Sequence, residues 1–217
     1  MGENKIPEEF KRVLKDSGRG GGYIIDAEKL KKVISEEGEY EYLGMILSFA
    51  FNSGEKIEKL SENDKRQTID LMFWLLNNMI LDYSNTNEIF SILKLFVKSG
   101  LALKQIEDNL IILSFDSLKI KDEISESDIL RKTDELNEMV ELKKNRGCFC
   151  ANPSLYGNPE EEIKRELLKI VDKKITENKK EYITTEETIL KCSICGTKLK
   201  YIRIIEDRII MRWEKIN

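Results

Sequence analysis

The chain has 217 residues, of which 41% are hydrophobic and 35% charged, and its formal net charge is −4 at pH 7. These values are ordinary for a soluble globular protein with room for one good core and a smaller satellite. No apolar run reaches the roughly 20 residues that span a bilayer, so we predict no membrane association. The negative total also argues against a protein that coats DNA indiscriminately.

Capping residues and apolar stripes repeating every three or four residues predict a series of helices in the first 145 residues. The clearest begins at Ser61-Glu62-Asn63-Asp64, a cap with acidic residues in the first turn, and is apolar on all sides. Short connections between helices predict an all-α bundle as the N-terminal domain, residues 1–145. The predicted helices cover about residues 7–17, 26–37, 39–51, 61–80, 86–98, 102–113 and 127–144.

A glycine-rich stretch, Gly18-Arg19-Gly20-Gly21-Gly22, lies between the first two predicted helices. It lacks the Gly-Lys-Ser/Thr ending of a phosphate-binding loop, and the strand-like run Tyr23-Ile24-Ile25 follows it instead of preceding it. We interpret the stretch as a flexible linker or surface turn.

The last part of the chain has a different pattern. Asn158-Pro159 predicts the cap of one more helix, whose buried stripe would be Ile163, Leu167, Ile170, Val171 and Ile175. Alternating apolar residues then predict three strands, at about residues 182–190, 198–205 and 208–213. The predicted fold class is therefore α+β and mainly α, a helical bundle followed by a module with one helix and a small antiparallel sheet.

All four cysteines lie in two short clusters, Cys148-Phe149-Cys150 and Cys192-Ser193-Ile194-Cys195, separated by 41 residues. In an extended Cys-x-Cys segment both sulfurs project to the same side, and Gly196 allows the Cys-x-x-Cys segment to turn sharply. Both clusters could therefore reach one ion, and four sulfurs are what a tetrahedral zinc site requires.

At these cysteines the chain resembles the zinc-ribbon superfamily, in which two cysteine-bearing loops clamp zinc beside a small antiparallel sheet. The resemblance covers residues 146–217, which we treat as the second domain. It implies a structural Zn²⁺ with Cys148, Cys150, Cys192 and Cys195 as ligands. The Cys-x-Cys half and the helix between the halves depart from the simplest ribbon.

Three other interpretations of the cysteines are weaker. Two disulfides are disfavoured because the chain lacks a secretory signal and its lysine-rich composition suggests the reducing cytoplasm, where we expect the protein to lie. A redox Cys-x-x-Cys should open a helix, whereas Cys192 to Cys195 lie between two predicted strands. Catalytic zinc would need an open coordination position, which four thiolates do not leave.

Charge divides unevenly along the chain. Residues 144–217 hold 16 Lys and Arg against 12 Asp and Glu, a net charge of +4 that leaves −8 for residues 1–143. A zinc ion with four thiolates would add about −2 to the second domain. Five basic residues of the predicted sheet, with Tyr201 or Trp213 to stack on a base, could hold DNA or RNA. They are Lys198, Lys200, Arg203, Arg208 and Arg212. An ordinary solvated sheet face is the competing interpretation.

Our first hypothesis is thus a non-enzymatic zinc-binding protein that associates with nucleic acid through the second domain, while the acidic helical domain contacts a protein partner. A structural or adaptor subunit with a purely protein-protein role is the second. The third is a metal-dependent hydrolase or nuclease. We predict no catalytic residue, because the chain has no histidine and helix capping and solubility explain its carboxylate pairs better. The sequence does not predict the oligomeric state.

Overall fold

The structure, a computed structural model, describes residues 12–16, 23–37, 43–51, 54–113, 118–121, 125–178 and 182–216. The chain forms two compact units, residues 1–140 and 141–217. Among the described residues, no helix combines the length and the apolar character needed to cross a bilayer.

The first unit is mainly helical. Strands β1 (Leu14–Asp16) and β2 (Tyr23–Ile25) pair antiparallel, and β3 (Ile80–Leu81) and β4 (Lys119–Ile120) pair parallel. The helices are α1 (Ala27–Glu37), α2 (Leu43–Phe51), α3 (Gly54–Lys59), α4 (Glu62–Asn78), α5 (Tyr83–Lys98), α6 (Leu103–Ile112) and α7 (Glu126–Arg146), the last of which crosses the boundary into the second unit.

Helix α4 lies at the centre of the first unit. The Ser61 side chain accepts a hydrogen bond from the Asp64 backbone N–H, as the cap signal predicts. The helix contacts α1, α5 and α6 and buries apolar residues on several sides, among them Ile69, Met72, Leu75 and Leu76. Burial of a side chain of this size stabilises the fold by about 1.5–3 kcal/mol, so these residues form much of the core.

The first unit differs from the sequence prediction in several places. Leu14, predicted at the end of a helix, lies in β1, and the earlier part of that helix, residues 7–11, lies outside the described residues, as does the glycine-rich stretch. Helix α5 begins one turn earlier than predicted because Asp82, not a residue near Thr86, caps it. Helix α3 and the short pair β3–β4 were not predicted, since six-residue and two-residue elements carry little periodicity.

The second unit contains a 3-10 turn (Pro153–Tyr156), helix α8 (Pro159–Lys164) and one sheet. The sheet is an antiparallel meander of β5 (Leu168–Asn178), β6 (Ile183–Cys192), β7 (Lys198–Ile205) and β8 (Ile209–Ile216), in the order β5-β6-β7-β8. The predicted fold class, mainly α with a small antiparallel sheet, is confirmed, although the sheet has four strands instead of three.

The predicted helix that continued to Ile175 is wrong. Helix α8 ends at Lys164, and Glu166 has a left-handed φ of 59°. The Leu167 N–H donates to the Glu162 carbonyl and the Glu166 N–H to the Ile163 carbonyl, the bonding pattern of a Schellman helix end. The chain then enters β5, where the expected buried stripe is not buried, since Ile170, Val171 and Ile175 are each more than half exposed.

The cap of α5 gives a first prediction. Asp82 accepts from the Asn85 N–H, and the Asn85 side chain accepts from the Asp82 N–H, which together form a capping box. Asp82→Ala removes one partner of that box and should lower the free energy of unfolding by about 1 kcal/mol. Urea unfolding followed by far-UV circular dichroism measures the change. Ser84→Ala, at an exposed position of the same turn, is the control and should change stability by less than about 0.5 kcal/mol.

Candidate metal centre

The first cysteine pair lies just beyond the end of α7. The Gly147 N–H donates to the Lys143 carbonyl, and Gly147 has a φ of 69°, a left-handed conformation that turns the chain out of the helix. Glycine adopts this conformation without the steric cost that a Cβ would bring. The turn places Cys148 and Cys150 in a short segment in which both side chains are buried.

The second pair lies on the turn between β6 and β7. Two backbone hydrogen bonds close this turn, from the Gly196 N–H to the Cys192 carbonyl and from the Cys192 N–H to the Thr197 carbonyl. Gly196 has a φ of 74°, which again favours glycine. The Ser193 N–H donates to the Leu167 carbonyl, so the turn is also fixed to the chain that leads into β5.

The four sulfurs form one cluster. All lie within 4.8 Å of one another, and the Cys148 and Cys195 sulfurs are 3.6 Å apart. Four ligands at the usual Zn–S distance of about 2.3 Å would be about 3.8 Å from each other in a tetrahedron, close to this spacing. All four thiols are free, three are buried and Cys195 is exposed. The cluster could therefore hold a metal ion, and it is consistent with a zinc-ribbon-like module.

The Tyr156 hydroxyl contacts the segment that carries the first cysteine pair. Its hydroxyl oxygen accepts a hydrogen bond from the Phe149 N–H at 3.1 Å and lies 3.3 Å from the Cys150 sulfur. Burial, followed by the contact with Cys150, raises the pKa of Tyr156, so the phenol keeps its proton. A metal-bound Cys150 thiolate would carry no proton, so the Tyr156 hydroxyl would then be the donor of this hydrogen bond. Hydrogen bonds of this kind orient metal-binding side chains and tune their basicity.

An aromatic cluster joins the first pair to the sheet. The ring of Tyr156 lies 5.4 Å from that of Phe149 and 5.6 Å from that of Trp213, whose own ring lies 5.0 Å from Tyr201. The Trp213 indole N–H donates to the Gly157 carbonyl. Tyr201 is buried, whereas Trp213 is partly exposed, so stacking of a base on one of these rings stays a prediction.

The thiols differ in acidity. Burial is the largest effect on Cys148 and Cys150 and raises the pKa of both. Burial acts in the same direction on Cys195, but hydrogen bonds with the Thr197 side chain and backbone and with the Cys150 and Cys148 thiols outweigh it and lower its pKa to about 6. Cys195 is thus a thiolate at neutral pH, while Cys148 and Cys150 hold protons that a metal must displace.

Cations surround the cluster. Lys143 is half-buried beside Phe149, and burial and then Arg165 lower its pKa, whereas Glu162 and, less strongly, the cysteine sulfurs act to raise it. Arg146 and Lys215 line an open cleft of about 430 Å³ next to Cys195. These positive charges offset part of the net −2 that a divalent ion with four thiolates would carry.

The five basic residues predicted to bind nucleic acid do not form one patch. Lys198 and Lys200 share a face of the sheet with Arg212, because Arg212 pairs with Ile202; Arg203 lies on the opposite face and Arg208 in the β7–β8 turn. Three of them form ion pairs: Lys200 with Glu187 at 2.7 Å, Arg203 with Glu186 at 3.6 Å, and Arg212 with Glu214 at 2.8 Å.

The structure places two further lysines beside Lys198. Lys169 of β5 is directly opposite Lys191 of β6, which is directly opposite Lys198 of β7. We call these three the lysine row. All are exposed, and none forms an ion pair within the described part of the chain. The sequence prediction missed Lys169 because it assigned that residue to a helix, and Lys191 because its strand was predicted to end at Leu190.

Comparison of the chain with known protein families, with curated proteins and with solved structures finds no match. Within the described residues, the four cysteines are the only group of three or more metal-binding side chains close enough to share an ion. The interpretation of the site therefore depends on its geometry.

Removing the Tyr156 hydroxyl should weaken metal binding. Tyr156→Phe deletes the donor to the Cys150 sulfur and leaves the buried Phe149 N–H without this acceptor. We expect the affinity for Zn²⁺ to fall about 10- to 100-fold, measured by competition with a chromophoric chelator. Tyr201→Phe is the matched control, because it removes a hydroxyl from the same aromatic cluster without touching a cysteine. Equal affinities of both variants and the wild type would contradict the role given to Tyr156.

The affinity for zinc should also depend steeply on pH. Because the raised pKa values keep Cys148 and Cys150 protonated at neutral pH, binding must release at least two protons. The apparent dissociation constant should therefore increase about 100-fold when the pH falls from 8 to 7. Below about pH 6, the pKa of Cys195, this thiol also becomes protonated, and the dissociation constant should then change still more steeply with pH. Chelator competition across this range measures the slope, and a change of tenfold or less per pH unit would contradict it.

Proposed function

We propose that the cysteine cluster holds a structural Zn²⁺ and that the second unit binds the phosphate backbone of nucleic acid through the lysine row. Zinc is the favoured metal because four soft thiolates at tetrahedral spacing suit it, with iron as the main competitor for such a set. Four protein ligands leave no open position for water or substrate, which supports a structural role for the ion rather than a catalytic one.

The zinc ion would stabilise a unit that has a modest core of its own. It would tie the segment after α7 to the β6–β7 turn, which are 41 residues apart in sequence. Closing a loop of that length in the unfolded chain costs entropy, and metal binding supplies free energy that offsets this cost. Small domains commonly need such a support.

The lysine row is the observation that carries the nucleic-acid proposal. Like charges directly opposite each other on neighbouring strands destabilise a sheet, each pair by up to about 1 kcal/mol, and this row contains two such pairs. No Asp or Glu among the described residues forms an ion pair with Lys169, Lys191 or Lys198. Neighbouring strands are about 4.8 Å apart, so three long side chains on adjacent strands can reach successive phosphates. A polyanion would relieve the repulsion that the fold tolerates.

The composition of this face supports contacts with the backbone instead of the bases. Lys200 and Arg212 lie on the same face, but their ion pairs reduce the charge they can offer. The two aromatic residues of β7 and β8, Tyr201 and Trp213, project to the opposite face. Among the described residues, this face has no aromatic ring to stack on a base and no arginine guanidinium free of an ion pair to read a base edge. Binding should therefore depend on phosphates and show little sequence preference.

A second candidate is an adaptor role for the helical unit, which would contact a protein partner. Five apolar side chains of that unit are about half exposed or more: Met45, Tyr83, Ile111, Ile112 and Leu130. Ile111 and Ile112 are neighbours at the end of α6, and adjacent exposed apolar side chains are a feature of protein-protein contact sites.

The lysine row gives a direct test. The triple variant Lys169→Gln, Lys191→Gln and Lys198→Gln should weaken binding of a fluorescent duplex oligonucleotide at low salt. It should also reduce the slope of log K against log salt concentration by about two to three, near one unit for each phosphate that a lysine no longer neutralises. Fluorescence anisotropy over a salt series measures both quantities.

The control carries the same charge change on the other unit. Lys29, Lys32 and Lys104 are exposed lysines of α1 and α6, each in an ion pair along its helix. Their triple replacement by Gln should leave the salt slope unchanged. If the wild-type protein shows no anisotropy change at micromolar concentration in low salt, the nucleic-acid function is wrong and the adaptor function takes its place. Equal weakening of binding in both triple variants would show that net charge, and not the row, determines binding.

A further inference from the structure

Strand β5 is a long edge strand, and no described strand pairs with its outer side. It forms one side of the sheet, and of its 11 residues only Leu168 is buried. The pairing with β6 is irregular between Ile170 and Asp172 and regular from Asp172 to Asn178. The strand therefore presents seven regular residues at the edge, one of which, Lys173, already donates its N–H to the Asp172 carboxylate at 2.8 Å. Edges of this length template pairing with another strand unless a protein blocks them.

The regular part of this edge is complementary to itself. In an antiparallel pair related by a two-fold axis perpendicular to the sheet, one residue must face its own copy. If that residue is Ile175, Lys173 of the first copy faces Glu177 of the second. By symmetry, Glu177 of the first copy faces Lys173 of the second. Lys174 then faces Thr176, and Asp172 faces Asn178. Every pair in this register is either of opposite charge, apolar, or free of like charges.

Neighbouring registers lack this complementarity. An axis at Asp172, Lys173, Lys174 or Glu177 would place two like charges directly opposite, which destabilises the pair. An axis at Thr176 would pair Ile175 with Glu177 of the second copy. It would also leave Asp172 and Lys173 outside the paired stretch. The favoured axis also lies at the middle of the regular stretch, so the whole of residues 172–178 can pair.

Three side chains at the centre of this register are exposed on one face of the sheet. Lys173, Ile175 and Glu177 lie on the same face of the sheet, and all are exposed, Ile175 by 54%. Neither Lys173 nor Glu177 forms an ion pair with another described residue. In the two-fold pair, Ile175 of one copy would cover Ile175 of the other. Lys173 and Glu177 of each copy would each gain an oppositely charged side chain from the other copy.

We propose that the protein self-associates through β5, as a two-fold dimer in which the two sheets join into one continuous antiparallel sheet of eight strands centred on Ile175. The occupant of the edge is a second copy of this chain, because the edge complements its own sequence. The dimer requires no nucleic acid, so its test is independent of the function proposed for the lysine row.

Sedimentation equilibrium of the full zinc-loaded chain, from about 1 to about 200 µM, tests the proposal. The wild type should shift with concentration from the mass of one chain, 25.3 kDa, towards twice that mass. Lys173→Glu and Glu177→Lys should each convert two attractive pairs into repulsive ones and weaken dimerisation about tenfold or more. The double variant Lys173→Glu/Glu177→Lys restores opposite charges across the axis and should return the dissociation constant to within about threefold of the wild type.

Two controls separate dimerisation from folding. Lys104→Glu makes the same charge change on α6 and should leave the dissociation constant unchanged. Circular dichroism and zinc content should be the same for all variants, since residues 173 and 177 are exposed. A wild-type protein that remains a monomer over the whole range overturns the proposal. So does a double variant that dimerises as weakly as the single ones, because the register would then be wrong, and so does a dimer that neither single variant affects.

Discussion

The convergence of four sulfurs is the interaction on which the second unit depends. Two segments 41 residues apart must meet so that all four sulfurs lie within 4.8 Å. Three of these thiols are buried, and burial raises the pKa of Cys148 and Cys150, so the metal-free cluster is a set of poorly solvated thiol groups with few strong partners. An ion that replaces their protons would convert a weak contact into four metal-ligand bonds. The aromatic cluster of Phe149, Tyr156 and Trp213 extends this connection to the outer strand of the sheet.

The same turn that carries two ligands also sets the lysine row. Lys191 immediately precedes Cys192 and Lys198 immediately follows Thr197, and the hydrogen bond from Cys192 N–H to the Thr197 carbonyl fixes the register between them. A slip of one residue would move each lysine to the other face of its strand. The proposed metal site and the proposed phosphate-binding row therefore share one structural element. If the cluster holds an ion, its loss would loosen the turn that holds two of the three charges opposite each other.

The sequence predicted the parts of this molecule that local chemistry determines. The Ser61 cap, the apolar surround of α4 and the bounds of β7 agree with the structure, because each depends on residues within a few positions. Strand β5 was predicted wrongly since its isoleucines and Val171 also fit a helical spacing, and only the left-handed Glu166 ends α8 before them. Glutamate gives no sequence signal for that conformation. The lysine row could not be predicted either, because it depends on the register of three strands, one of which was assigned to a helix.

The irregularity between Ile170 and Asp172 divides β5 into two parts with different surroundings. The part before it is held close to the cysteine turn and contributes Lys169 to the lysine row. The part after it is a regular edge in which Lys173 and Glu177, of opposite charge, flank Ile175 on one face. A two-fold axis perpendicular to the sheet leaves each face on its own side, so a dimer through this edge would present both lysine rows on one surface. Lys169 is six residues from Ile175, which at about 3.3 Å per residue separates the two rows by roughly 40 Å. One turn of a nucleic-acid duplex is about 34–36 Å, so the edge that joins two chains would also set a spacing close to the repeat of the polymer that the rows are proposed to bind.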